Sequence, residues 1–217
     1  MNGVIPDMKN KKRNKWIIAI VGVVAFGVWL YEEVIEEYVI PNVFPVRWGC
    51  TEEGVVYRSG QIAARLIEKT LKENSIKVVV ALNGDYVNDP RQIAEKEAVK
   101  KLGIEFYRFT LDGDGTGDVA NYANAIEVIV RAKKEKKRVL VHCSAGEMRT
   151  GGVLACYQML VNRVSPGQIV PELKRYGYNP AKDLALVPYI NDHMEQLANL
   201  LVQKKIIDEI PEPLPRL

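Results

Sequence analysis

The residues best suited to chemistry lie together in His142-Cys143-Ser144-Ala145-Gly146-Glu147-Met148-Arg149-Thr150-Gly151. The apolar run Val139-Leu140-Val141 leads into a histidine and a cysteine, and an arginine follows the cysteine by six positions. A small, glycine-containing loop that opens a helix turns several backbone N–H groups inward and adds the positive end of the helix dipole. Arg149 supplies a planar fork matched to phosphate oxygens. The same positive field lowers a thiol's pKa, so Cys143 reads as a thiolate held inside an anion cradle, a nucleophile directed at phosphorus.

Such a cysteine needs a strand to deliver it and a helix to receive the chain. The spacing predicts strands at 77–82 and 104–111 and at VLVHC, with a short one at VVYRSG. Helices are expected over 61–73, from Pro90 to Leu102, from a cap at Asp118 to about Lys137, from Arg149 to about Asn162, from Ser165 to Tyr176 and over 183–204. Strands alternating with helices give an α/β fold with a central, mostly parallel sheet flanked by helices, whose ligands bind beyond the carboxyl ends of the strands.

HCSAGEMRTG matches the pattern H-C-x5-R-S/T-G, and in this it resembles the cysteine-dependent protein tyrosine phosphatase superfamily. VYRSGQ and the strand–loop–helix run over 104–138 look like its compact dual-specificity branch, with the resemblance covering roughly 48–180. The resemblance implies that Cys143 attacks phosphorus to form a phosphocysteine. Arg149 and the N–H groups of Ser144, Ala145, Gly146, Glu147, Met148 and Arg149 would hold the phosphate oxygens. Thr150 would ease departure of the sulfur, and His142 would order the loop. No metal or other cofactor is expected.

The reaction needs an acid for the leaving oxygen. The resemblance puts it on DGDGTGD, which offers Asp112, Asp114 and Asp118. Asp118 reads as the helix cap. Counting back from Cys143 favours Asp112, while the glycines on both sides favour Asp114, which is preferred. The default substrate is a phosphotyrosine protein, phosphoserine or phosphothreonine included. A phosphoinositide or inositol phosphate is the alternative, disfavoured by the charge of Glu147 beside the cradle. A non-catalytic phosphate-binding module is the remaining rival.

Other reactive side chains have plainer readings. Cys156 reads as core and His193 as a helix residue without a catalytic part. Arg58 and Ser59 read as buried structural groups, and RAKKEKKR (131–138) as a solvated helix end. Cys50 is a candidate resolving thiol for Cys143. Three cysteines are too few for a disulfide framework or a zinc site.

The net charge of +3 is unevenly placed. Residues 1–15 hold Lys9, Lys11, Lys12, Arg13 and Lys15 against Asp7, or +4, which leaves the rest near −1 and argues against a nucleic-acid partner. Trp16 to Tyr31 is free of charge, and Glu32, Glu33, Glu36 and Glu37 follow it. This pattern predicts a basic cytoplasmic tail (1–15), one transmembrane helix (16–31) as membrane partner, a connector (32–45) and a catalytic domain (46–205) on the extracytoplasmic side. A cleaved signal or a buried helix is the alternative for the apolar stretch. IPEPLPRL, within 206–217, reads as a loose tail.

Overall fold

The computed structural model describes residues 8–31 and 40–217. The chain divides into two compact units, Met1–Val43 and Phe44–Leu217. In the first unit, α1 runs from Met8 to Trp29 and α2 from Ile40 to Val43. Most of the expected connector and its four glutamates lie outside the described residues.

The expected membrane anchor is overturned. The five basic residues 9–15 are part of α1, and only Trp16–Trp29 of that helix is uncharged. Those fourteen residues span about 21 Å at 1.5 Å each, short of the roughly 30 Å hydrocarbon core. No helix among the described residues is long and apolar enough to cross a membrane. The single-pass localisation, the membrane partner and the extracytoplasmic placement lose their support with it.

The second unit is built on one sheet: β1 (Gly49–Glu52), β2 (Val56–Ser59), β3 (Ile76–Ala81), β4 (Glu105–Arg108) and β5 (Arg138–His142), in the order β1-β2-β5-β3-β4. β1 is antiparallel to β2 and every other pairing is parallel, so the expectation of a mostly parallel sheet holds. β1 was not anticipated, because Gly49-Cys50-Thr51-Glu52 has no apolar alternation, and as an edge strand it needs none.

The helices are α3 (Ala64–Glu73), α4 (Pro90–Leu102), α5 (Val119–Lys134), α6 (Met148–Leu160), α7 (Pro166–Arg175) and α8 (Leu186–Gln203). Asp118 caps α5 by accepting from Ala120 N at 2.8 Å. α3 begins three residues later than predicted, because Gln61 is drawn into the site described below.

Alternation along the central strands divides the core. Val78, Val80, Val139, Val141 and Cys143 pack with α5, α6 and α8. Val79 and Leu140 pack with α3 and α4 through Ile67, Leu71, Ala98 and Val99. Each fully buried Val or Leu here contributes about 1.5–3 kcal/mol, which holds β5 rigidly at the centre. Residues 206–217 are not a loose tail. Ile207 is buried, and Ile210, Leu214 and Leu217 rest on the α5–α6–α8 core. Leu217 N also donates to Asn191 Oδ1 at 2.8 Å.

Candidate active site

β5 ends at His142 and α6 begins at Met148, so the loop from Cys143 to Glu147 crosses the carboxyl edge of the sheet. Cys143 is 1% exposed and its Sγ accepts from Gly146 N at 3.1 Å. Burial alone raises this thiol's pKa. The hydroxyl and amide of Thr150, the Arg149 charge and the Gly146 amide outweigh burial and set it below the ordinary value. The buried Thr150 hydroxyl lies near the sulfur but forms no well-aligned hydrogen bond. Arg149 is half-buried, and its Nε is buried with no hydrogen-bond partner among the described residues.

The loop's carbonyls from Ser144 to Glu147 are accounted for. Ser144 O accepts from Gln61 N at 2.9 Å and Glu147 O from Gly151 N at 2.6 Å. Ala145 O accepts from Arg47 Nη1 at 3.1 Å and Gly146 O from Arg58 Nη2 at 2.8 Å. With four consecutive carbonyls drawn outward, the intervening N–H groups are left to face the cradle.

Two glycines allow this backing. A Cβ on Gly60 would stand 2.8 Å from Ala145 O. One on Gly146, at φ +80°, would stand 2.5 Å from Gly60 N. Arg58 is 1% exposed, lies 3.8 Å over the Tyr176 ring and is 3.9 Å from Glu172 Oε1. Burial brings its pKa down to about 10, with Glu172 opposing that shift. Arg58 and Ser59 are thus buried support beneath the loop.

Glu147 does not present a bare charge to the cradle, because its carboxylate pairs with Arg47. On the opposite face of β5, His142 Nε2 lies 3.0 Å from Glu95 Oε1, with both side chains 1% exposed. Arg47 and Glu95 escaped the sequence reading. Arg47 lies in an irregular stretch with no periodic pattern. Glu95 did leave a signal, since it shares the inward stripe of α4 with Gln92, Ala98 and Val99.

Asp112 and Asp114 are both exposed, on the loop between β4 and α5. Asp114 Oδ1 accepts from Thr116 N at 3.0 Å and from Thr116 Oγ1 at 2.8 Å. These contacts hold its carboxyl below the ordinary value and commit it to the turn. The Asp112 side chain has no such bond among the described residues. Leu111 N donates to Leu82 O at 3.0 Å, and Leu82 N to His142 O at 2.8 Å. These bonds tie the start of the Asp112 loop, through Leu82, to the carboxyl end of β5, where Cys143 follows.

The remaining groups lie apart from this centre. Cys50 on β1 registers with Tyr57, which registers with Leu140. Two strands across and three residues along separate it from Cys143 by roughly 14 Å, beyond disulfide reach. Cys156 is buried in α6, which pushes its thiol up to about 12. His193 Nδ1 contacts Tyr189 O at 2.8 Å. In the 131–138 run, Lys133 pairs with Glu52, and Arg131 and Lys137 pair with Glu105.

Comparison with known proteins gives the site a family. The model of a family described as "Polymorphic toxin system, DSP-PTPase phosphatase" matches residues 54–163. The mouse protein tyrosine phosphatase domain-containing protein 1 is 30% identical over 115 residues, 49% of this chain and 15% of that protein. Human phosphatidylglycerophosphatase and protein-tyrosine phosphatase 1 is 25% identical over 107 residues, 48% of this chain and 52% of that one. The chain thus spans about half or less of the curated relatives it matches. The crystal structure of P. aeruginosa TpbA superposes with a TM-score of 0.57 at 19% identity, covering 72% of this chain and 91% of that one. TpbA has also been solved in complex with pTyr. The family match spans half of the chain and includes the whole Cys143–Arg149 loop, and the chain therefore belongs to the polymorphic-toxin-system DSP-PTPase phosphatases, a branch of the cysteine-dependent protein tyrosine phosphatase superfamily.

Proposed function

We propose that the chain hydrolyses a single phosphate monoester, phosphotyrosine by preference, through a phosphocysteine on Cys143. The observation that carries this reading is the division of labour among the arginines. Arg47 and Arg58 each donate to a loop carbonyl, Ala145 O and Gly146 O, while the Arg149 guanidinium donates to no group among the described residues and its Nε is buried. One free fork and one ring of amides fit one phosphoryl group.

In the first step the Cys143 thiolate attacks phosphorus, the P–O bond to the leaving group breaks, and Asp112 gives that oxygen its proton. In the second, Asp112 takes a proton from water, the resulting hydroxide attacks phosphorus, and the S–P bond breaks to return the thiolate. Arg149 and the loop amides stabilise the equatorial oxygens throughout. Thr150 stabilises the departing sulfur. Asp112 is favoured over Asp114 because its carboxylate is uncommitted and its neighbour Leu111 is tied through Leu82 to the strand end that carries Cys143.

Two observations support a lipid or inositol phosphate as the second reading. Arg47 removes the charge objection that Glu147 raised, and the human relative's name includes phosphatidylglycerophosphatase. The test is a panel of phosphotyrosine, phosphoserine and phosphothreonine peptides, phosphoinositides and inositol phosphates, each with Cys143→Ser as control. The highest kcat/KM is expected on phosphotyrosine peptides. A higher value on a lipid would replace the substrate assignment, and undiminished turnover by Cys143→Ser would overturn the mechanism.

A further inference from the structure

Alternation along β5 turns Cys143 toward α5 and α6 and turns its neighbour His142 toward α4. On that side Glu95 Oε1 stands 3.0 Å from His142 Nε2. The other ring nitrogen, Nδ1, lies 3.4 Å from Cys143 O. A neutral imidazole carries one N–H, whereas each nitrogen here faces an acceptor. Facing an ionised Glu95, only the doubly protonated ring suits both. The Glu95 contact is also off the N–H axis, so it acts as an attraction between charges more than as a linear hydrogen bond.

We propose that Glu95 is a positioning residue that holds His142 as an imidazolium behind the nucleophile, stabilising the Cys143 thiolate and keeping the Cys143 carbonyl turned out of the cradle. The proposal rests on Cys143 being the nucleophile of the reaction above.

Buried polar groups surround the pair. Asn83 Nδ2 donates to Gln61 Oε1 at 2.9 Å, and Arg108 Nη1 donates to Asn83 O and Gly84 O at 2.8 Å each. Arg108 is the other charge acting on Glu95, and Cys143 the other charge acting on His142. Glu95 is drawn down and His142 raised by their mutual attraction, although burial opposes both shifts. Gln61 N also bonds Ser144 O, so the same polar layer reaches the loop from both of its ends.

A thiolate beside an imidazolium loses that support when Glu95 becomes neutral, because burial then strips the ring of its proton. The imidazolium belongs to the residue next to Cys143 and Glu95 lies beyond it, so loss of the nearer, positive charge decides the sign. In Glu95→Gln, the thiolate midpoint is expected to rise by about one pH unit, with the acid limb of kcat/KM moving alongside it. The midpoint is read from ultraviolet thiolate absorbance, as the difference between each protein and its Cys143→Ser counterpart. A folded Glu95→Gln with an unmoved midpoint overturns the proposal.

A second measurement needs no Glu95 variant. The chain has two histidines. With His193→Gln to assign the signals, ring-nitrogen NMR at about pH 7, above the ordinary histidine value of about 6.5, should find both nitrogens of His142 protonated. A neutral ring there also overturns it. Failure of the hydrolytic mechanism is seen separately, as residual turnover by Cys143→Ser.

Discussion

Arg47 clamps the phosphate loop at two points, pairing with the Glu147 carboxylate and donating from Nη1 to Ala145 O at 3.1 Å. Both side chains are about one-third exposed, so the pair adds little to stability. Its weight falls on the cradle, where it cancels a negative charge next to the place a phosphate must sit. Arg47→Ala is expected to lower kcat/KM for a monophosphate by about tenfold, and by more for a substrate with adjacent phosphates. Adding Glu147→Gln should recover most of the loss. Steady-state kinetics on both substrate types checks this; equal losses on the two would remove the charge argument.

The acid should show itself through the leaving group. Asp112→Asn is expected to cost about 10²–10⁴-fold on a phosphotyrosine peptide, and much less on an aryl phosphate whose phenoxide leaves unaided. Asp114→Asn should cost only a few-fold on either, since its carboxylate holds the turn through Thr116. The reverse pattern between the two variants would move the acid to Asp114.

Backbone proximity between Gly60 and Gly146 predicts a loss of activity without loss of the core. In Gly60→Ala the new Cβ meets Ala145 O at 2.8 Å, and neither side is a flexible side chain. The loop must lift away, and kcat/KM should fall by at least about 10²-fold as amides leave their positions. Circular dichroism should remain native. A fully active Gly60→Ala would mean that the loop tolerates displacement from the β2 end.

The sheet and the cradle were legible because they rest on local pattern. VLVHC is apolar on both faces, as a central parallel strand must be, and the Cys143-to-Arg149 spacing fixes a loop that opens a helix. What was not legible came from contacts distant in sequence. Arg47 lies ninety-eight positions from Ala145, so nothing near Glu147 announces that its charge is met. Residues 206–217 have too many prolines to read as an element, yet their isoleucines and leucines find the core. The anchor expectation failed differently: it counted apolar residues through Tyr31, while the regular α-helix stops at Trp29 and takes its basic residues inside.

Glu95 and His142 should leave opposite marks on stability as pH varies. The carboxyl of Glu95 is depressed in the fold, so its contribution is present above the unfolded value of about 4.3 and is lost as pH falls through the folded one. His142 is raised, so its contribution is present below the unfolded value of about 6.5 and disappears as pH rises through the folded one. Both contributions are therefore fully present between about pH 4.3 and about 6.5. Removing the Glu95 charge there makes the buried ring shed its proton rather than stand as an unpaired charge, which holds the cost below the roughly 3–5 kcal/mol of a buried pair broken with one charge left in place. Urea unfolding of the wild type should show highest stability within that window. Glu95→Gln should lower the plateau, remove the loss on the alkaline side and lose stability as pH falls below about 6.5, where the unfolded chain protonates a ring the fold keeps neutral. Parallel pH profiles for the two proteins would mean that the pair is not ionised in the fold.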